Sequence, residues 1–154
     1  MNYLIIFGAK YLIYVLILFA AVYIFVQDGQ KRRNMAIFAL AVLPLSYIVA
    51  KISSLLYYDQ RPFVIGNFIP LIPHISDNGF PSDHTLLASA VASVILFFNK
   101  KIGIGLFALA LIVGISRVLA GVHHAVDVLA SCVIAVVVSY LVNRWIMRRF
   151  ENKS

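Results

Sequence analysis

Apolar residues run almost unbroken through five stretches of the chain, residues 3–26, 35–58, 83–98, 102–119 and 124–142, and polar residues are confined largely to the breaks between them. A helix needs about 20 apolar residues to cross a hydrocarbon core roughly 30 Å thick, and the five stretches approach or exceed that length. The third is short enough to be a buried helix of a soluble protein, but its four neighbours place it in the same solvent as themselves. The pattern predicts an all-α, polytopic membrane bundle of about five transmembrane helices, forming a single domain over residues 1–154.

Composition agrees, because the chain is 62% hydrophobic and only 12% charged, too few polar groups to cover the core of a soluble domain of 154 residues. The net charge of +7 would suggest nucleic acid in a soluble protein. Here the basic residues alternate from loop to loop instead. Lys31, Arg32 and Arg33 fall in the first break, Lys100 and Lys101 in the third, and Arg144, Arg148, Arg149 and Lys153 in the tail. The positive-inside rule then puts those segments in the cytoplasm, and puts the amino terminus, the break at residues 59–82 and the turn around Gly121 outside. No nucleic-acid partner is expected. The first stretch shows no cleavage pattern and is expected to be a retained helix that also directs insertion. Cys132 reads as core packing, and Tyr57, Tyr58, Phe63 and Trp145 suit interfacial belts.

The polar residues without an evident solvent role gather at one level. Arg61 and Pro62 follow the second stretch, Ser82, Asp83 and His84 open the third, Ser116 and Arg117 close the fourth, and His123, His124 and Asp127 open the fifth. All belong to the outer rim. Arginine offers a fixed fork of donors matched to phosphate oxygens, although either arginine alone would read as a headgroup contact. Pro81-Ser82 before an apolar run marks a helix start, whose free N–H groups and positive dipole end favour an anion; Ser82 or Asp83 can cap that helix at the same time. His123 and Asp127 are four apart, so on a helix the carboxylate can hold one ring nitrogen and leave the other free as a nucleophile. His124 points to another face and reads as interfacial. His84, His123, His124 and Asp127 are also plausible metal ligands, but two arginines would repel a cation and no tight ligand spacing is present, so no metal is expected.

These residues resemble the motifs of the type 2 phosphatidic acid phosphatase family, which includes vanadium haloperoxidases and glucose-6-phosphatase. Its third motif, S-R, five residues, H, three residues, D, is matched by Ser116-Arg117, His123 and Asp127. Its second, P-S-G-H, is present as Pro81-Ser82-Asp83-His84, and its first, K, six residues, R-P, is matched at Arg61-Pro62 with Ser54 at the lysine position. Aspartate for glycine and the loss of that lysine are similar to the bacitracin-resistance class of bacterial undecaprenyl pyrophosphate phosphatases. The family commonly has six spans, one more than are counted here. The resemblance implies that His123 attacks phosphorus to form a phosphohistidine and that Asp127 orients it. It further implies that His84 protonates the leaving group and later activates water, while Arg61, Arg117 and Ser82 hold the phosphoryl oxygens, with no cofactor. Asp83, an anion beside the phosphate, is expected either to point away or to pair with Arg61, Arg117 or His84.

The expected activity is hydrolysis of a polyprenyl (undecaprenyl) pyrophosphate to the monophosphate and phosphate at the outer face, with the bilayer and the lipid as partners. Another lipid phosphate, such as phosphatidylglycerophosphate or phosphatidic acid, is the first rival, and a non-catalytic anion-binding membrane protein is the second. Lys51 and Lys10 lie at a similar depth, roughly 10 Å below the outer rim at about 1.5 Å per residue. Lys51, on the same helix as Ser54, is therefore expected to face the bundle interior and supply the phosphate-binding cation that Ser54 cannot, with Lys10 a weaker candidate.

Overall fold

A computed structural model of the chain describes residues 2–147, in which every regular element is helical. Seven α-helices follow in order: α1 (Asn2–Lys10), α2 (Leu12–Phe25), α3 (Gly29–Leu56), the short α4 (Pro62–Ile65), α5 (Asp83–Phe98), α6 (Lys100–Leu119) and α7 (Ala125–Val142). A π-helical turn, Asn143–Met147, continues α7. Arg148, Arg149 and Lys153 of the basic tail lie outside the described residues.

The membrane bundle is all-α, as the apolar pattern predicts. Three helices, α3, α6 and α7 with its π turn, are long and apolar enough to cross a bilayer unbroken. The first apolar stretch is not one straight span: α1 and α2 meet at a 46° bend. The bend coincides with a contact from another helix. Arg117 Nη1 donates to the carbonyl of Ala9 at 3.2 Å, a carbonyl that an unbroken helix would offer to Ile13. Gly8 makes this approach possible, since a Cβ there would collide with the Ser116 hydroxyl. The fifth candidate span, α5, has only 16 residues, roughly 24 Å of helix, and so begins below one surface of a core about 30 Å thick.

Two helix starts differ from expectation. Lys31, Arg32 and Arg33 belong to the first turns of α3, because nothing between Gln30 and Asn34 breaks a helix and Gln, Lys and Arg are good helix formers. Lys100 and Lys101 likewise open α6, whose N-cap Asn99 accepts the Ile102 N–H at 3.2 Å. The α5–α6 connection is then a single residue, and it closes tightly because Gly103 lies against the Leu96 backbone.

Helix α5 is the axis of the bundle and packs on α2, α3, α6 and α7. Its buried face carries small residues, among them Ala88, Ser89, Ala90, Ala92 and Ser93, which let the neighbouring backbones come close in the absence of an aqueous hydrophobic drive. One core cluster fills the space between α2, α5 and α6 around Leu16 and Ile95, and another fills that between α3, α5 and α7 around Phe38 and Val94. Large apolar side chains such as Leu40, Leu129 and Val133 point outward, as a lipid-facing surface requires. Tyr57, Tyr58 and Trp145 are exposed, but Phe63 is partly buried on the cluster of Ala9, Ile72, Ala120 and Val122 instead of joining a belt. Cys132 is buried.

The segment between α3 and α5 covers the end of the bundle where α3 finishes, α5 begins and α6 finishes. Asn78 holds it in place: its Oδ1 accepts the N–H groups of Asp59 and Phe80, each at 2.9 Å, and its Nδ2 donates to the carbonyls of Ser54 and Tyr57, each at 3.0 Å. Leu71 N–H donates to Ala120 O at 3.0 Å, tying the loop to the α6–α7 turn, where Gly121 takes a φ of +78° that suits glycine. The Phe80-Pro81 peptide is cis.

Candidate active site

Under this loop lies a cavity of about 300 Å³ lined by Lys51, Arg61, Asp83, His84, Arg117 and His123 together with residues of the loop itself. Six of the eight predicted site residues thus reach one chamber. Asp127 supports it from below, and Ser82 is turned away from it. Ser82 is fully buried, its hydroxyl accepts from Thr85 at 3.1 Å and its backbone N–H lies 3.3 Å from Asp127 O. Its side chain makes no capping bond, so the anion-favouring part of this helix start is the set of N–H groups of the first turn of α5, beside Pro81, Asp83 and His84 in the cavity wall.

His123 is at the centre of the arrangement. It precedes α7, whose N-cap is His124, so the contact with Asp127 is not the one-face helical pair that the spacing suggests. The turn at Gly121 brings the ring over the start of the helix instead, and Nδ1 lies 3.1 Å from Asp127 Oδ2. The same Oδ2 accepts the His124 backbone N–H at 2.9 Å. On the other side of the ring, Nε2 is 3.3 Å from Arg61 Nη1 and 3.4 Å from Arg117 Nη2. Guanidinium nitrogens only donate. The Nε2 atom must therefore be the acceptor, the proton must sit on Nδ1 and point at Asp127, and the ring is neutral. Burial pushes the His123 imidazole below its ordinary value; the bond to Asp127 opposes this, and the charges of Arg117 and Arg61 reinforce it.

Both arginines are buried and held by backbone carbonyls, and Arg61 also by a carboxylate. Arg61 donates from Nε to Asp77 at 2.7 Å, from Nη1 to Val122 O at 2.8 Å and from Nη2 to Asn78 O at 3.3 Å. Arg117 spends one donor on Ala9 O, while its buried Nε has no hydrogen-bond partner among the described residues. A buried charged donor without a partner is costly.

Asp83 departs from every expected pairing. It meets Lys51, with Oδ2 3.5 Å from Nζ, because α3 and α5 run side by side and Lys51 faces the α5 start. Lys51 is exposed at the mouth of the cavity, above the Tyr47 ring, and does not face the bundle interior. Lys10 is exposed beside the Tyr11 ring and does not line the cavity. His124 is not a simple interfacial residue, since its Nδ1 lies 2.7 Å from Asp59 Oδ2. The metal-ligand set suggested by sequence does not assemble either. Among the described residues, Asp59, His124 and Asp127 bring donor atoms within 4.8 Å of one another, while His84 and His123 stand in the cavity.

Three cavity residues carry no sequence signal. His74, Asp77 and Asn78 lie in the long loop, where no periodicity indicates direction. Only the turn-forming Asp-Asn-Gly at residues 77–79 marks the place. The His74 ring stands edge-on to that of His123, with centroids 6.0 Å apart, and burial followed by the charge of Arg61 lowers its pKa.

Residues 34–151 match the family model described as the PAP2 superfamily. The chain is 39% identical over 135 residues to the undecaprenyl-diphosphatase BcrC of Bacillus subtilis (strain 168), covering 86% of this chain and 67% of that protein. It is 38% identical over 137 residues to the bacitracin transport permease protein BcrC of Bacillus licheniformis, covering 88% and 67%. Among solved structures, LpxE of Aquifex aeolicus superposes with a TM-score of 0.71 over 93% of this chain and 82% of that one; at 21% identity this likeness concerns the fold.

Proposed function

The chain belongs to the PAP2 superfamily and is a membrane lipid phosphatase, and from that premise we propose that it hydrolyses a polyprenyl diphosphate to the monophosphate and phosphate through a phosphohistidine. The observation that carries the mechanism is the setting of His123 Nε2: it is the unprotonated nitrogen of the ring and meets two arginine donors at the cavity, donors that an incoming phosphate draws onto its own oxygens, while Asp127 holds the opposite nitrogen. Attack by Nε2 on the terminal phosphorus forms the N–P bond as the bridging P–O bond breaks. Arg61, Arg117 and the first-turn N–H groups of α5 stabilise the charge on the equatorial oxygens, and this positioning and charge compensation is most of what phosphoryl transfer asks of a protein. The imidazolium character that develops on His123 is balanced by Asp127 across the Nδ1–H bond. His84, in the cavity wall, gives a proton to the departing lipid phosphate and then takes one from the water that cleaves the N–P bond, which returns His123 to its starting form. The arginines supply the positive charge that a metal supplies in other phosphatases.

The prenyl diphosphate substrate is supported by the likeness to the Bacillus subtilis undecaprenyl-diphosphatase. The site faces outward in this reading. Lys31 to Arg33 at the start of α3 and Lys100 and Lys101 at the start of α6 lie at the end of the bundle opposite the cavity, where the positive-inside rule puts the cytoplasm.

Single-turnover incubation with a prenyl diphosphate labelled on the terminal phosphate tests the mechanism. The expected result is an acid-labile, base-stable labelled protein that is lost in His123→Ala. Phosphate release without labelled protein at any time would refute the covalent route.

A further inference from the structure

The cavity has an inner and an outer tier of positive charge, and the proposed attack on phosphorus uses only the inner one. Arg61, Arg117 and His123 are at most 4% exposed, whereas the side chains of Lys51 and Asp83 are 49% and 60% exposed. All five line the same chamber, so the buried groups form its floor and the Lys51–Asp83 pair its mouth. In-line displacement puts the leaving oxygen opposite the attacking atom. With Nε2 at the floor, the leaving group must point toward the mouth.

For a diphosphate the leaving group is itself a phosphate, and it emerges where Lys51 stands. The Lys51–Asp83 pair is suited to exchange. At 3.5 Å it is longer than a good charge-assisted hydrogen bond, and its exposure leaves it weak. The ammonium is on a flexible stem, and the Tyr47 ring, 5.0 Å from Nζ, keeps it at the level of the mouth without using any of its donors. Asp83 adds selectivity, because an anionic ligand must outcompete a carboxylate for Lys51. A second phosphate can do so. The alkyl chain that a monophosphate ester places at the same point cannot.

We propose that Lys51 binds the lipid-linked phosphate of the substrate by leaving Asp83, and that this outer subsite selects diphosphates over monophosphates. The inference rests on the diphosphate reading of the site and refines it. It differs from a simple replacement of the family lysine, which would serve the terminal phosphate and affect both substrate classes alike.

The test measures binding and not turnover. Purified protein in detergent is titrated calorimetrically with methylenediphosphonate and with inorganic phosphate. Wild type should bind the diphosphonate about tenfold more tightly than phosphate, as one added charged hydrogen bond implies. Lys51→Met should remove most of that preference while weakening phosphate by less than about threefold, and Lys51→Arg should keep at least half of it. Equal weakening of both ligands, or no change in either, would overturn the proposal, as would the lack of any diphosphonate preference in wild type. The double variant Lys51→Met/Asp83→Asn separates contact from neutralisation. If Lys51 only cancels the charge of Asp83, the double variant regains wild-type discrimination and the proposal fails; if Lys51 touches the second phosphate, the discrimination stays lost. Should Lys51→Met not fold, Lys51→Gln takes its place in both arms. Failure of wild type to turn over prenyl diphosphates would instead count against the proposed function, and the binding ratios would stand apart from it.

Discussion

Arg61 Nη1 lies 3.3 Å from His123 Nε2, so a permanently charged group occupies the position from which a proton would approach that nitrogen. Protonating the ring would set two cations against each other inside a buried chamber, with Arg117 as a third. In the proposed mechanism the arriving phosphate must draw both guanidinium donors onto its own oxygens, which uncovers the unprotonated Nε2 for attack.

The pH dependence follows. The folded-state pKa of His123 is depressed below its ordinary 6.5, so the free base persists as the medium is acidified through that value. The acid limb of kcat/KM should consequently fall below pH 6.5, and Arg61→Ala should shift the limb of its residual activity upward. The stability contribution has the matching sign: the unfolded chain binds the proton first, so the contribution is present above pH 6.5 and is lost as pH falls below it. A pH–rate profile whose acid limb lies above 6.5 in the wild type would contradict the geometry.

Asp127→Asn should reduce kcat by at least about a hundredfold with little change in KM: an amide oxygen at the Oδ2 position can still accept from His123 Nδ1 and the His124 N–H, but it carries no charge to balance the imidazolium that the proposed attack creates. Steady-state kinetics on the variant would show this, and a change confined to KM would remove Asp127 from its orienting role.

His84→Ala should depend on the leaving group. In single-turnover phosphorylation of His123, which precedes the water step that His84 also serves, the loss on a lipid diphosphate should be about a hundredfold or more, the usual range for general acid catalysis, whereas on p-nitrophenyl phosphate, whose leaving group departs without a proton, it should be far smaller. Equal losses on the two substrates would take His84 out of the acid role.

Gly8 lies against the Ser116 hydroxyl, and this contact lets α1 come near enough for Arg117 to reach the Ala9 carbonyl. Gly8→Ala should cost about 1–3 kcal/mol by overpacking, and should lower activity as the arginine is displaced. Thermal unfolding in detergent and turnover should both recover in part in Gly8→Ala/Ser116→Gly. A Gly8→Ala protein with wild-type stability and activity would show that the approach is not tight.

Orientation can be read by labelling with an impermeant thiol reagent in intact cells. Ile69→Cys, on an exposed loop position beside the site, should react, and Gln30→Cys at the start of α3 should not. Asn67 is a poorer probe because its φ of +49° would strain a cysteine. The reverse pattern would turn the cavity toward the cytoplasm.

The bilayer as solvent, the helical class and the level at which the chemistry gathers are all legible in the amino-acid order, since each depends on local composition. Continuous apolar runs require a bilayer whatever their partners are, and Arg61, His84, Arg117, His123 and Asp127 were legible because they sit at helix ends, where one-dimensional position translates directly into depth. What those residues do to one another depends on how the helices and the long loop pack. The bend at Tyr11 falls where Arg117 from α6 takes the Ala9 carbonyl, a contact between distant segments that no local pattern announces. The pairing of Asp83 with Lys51 depends on two helices lying side by side, and Ser82, read as a phosphate ligand, is turned inward by packing against Thr85 and Asp127. His74, Asp77 and Asn78 could not be placed in advance, because a loop without periodicity acquires its direction from the surface it is folded against. Even the correct pair, His123 with Asp127, forms through the turn at Gly121 and not along a helix face, which shows that residue spacing can identify partners while the backbone that joins them is fixed by long-range contacts.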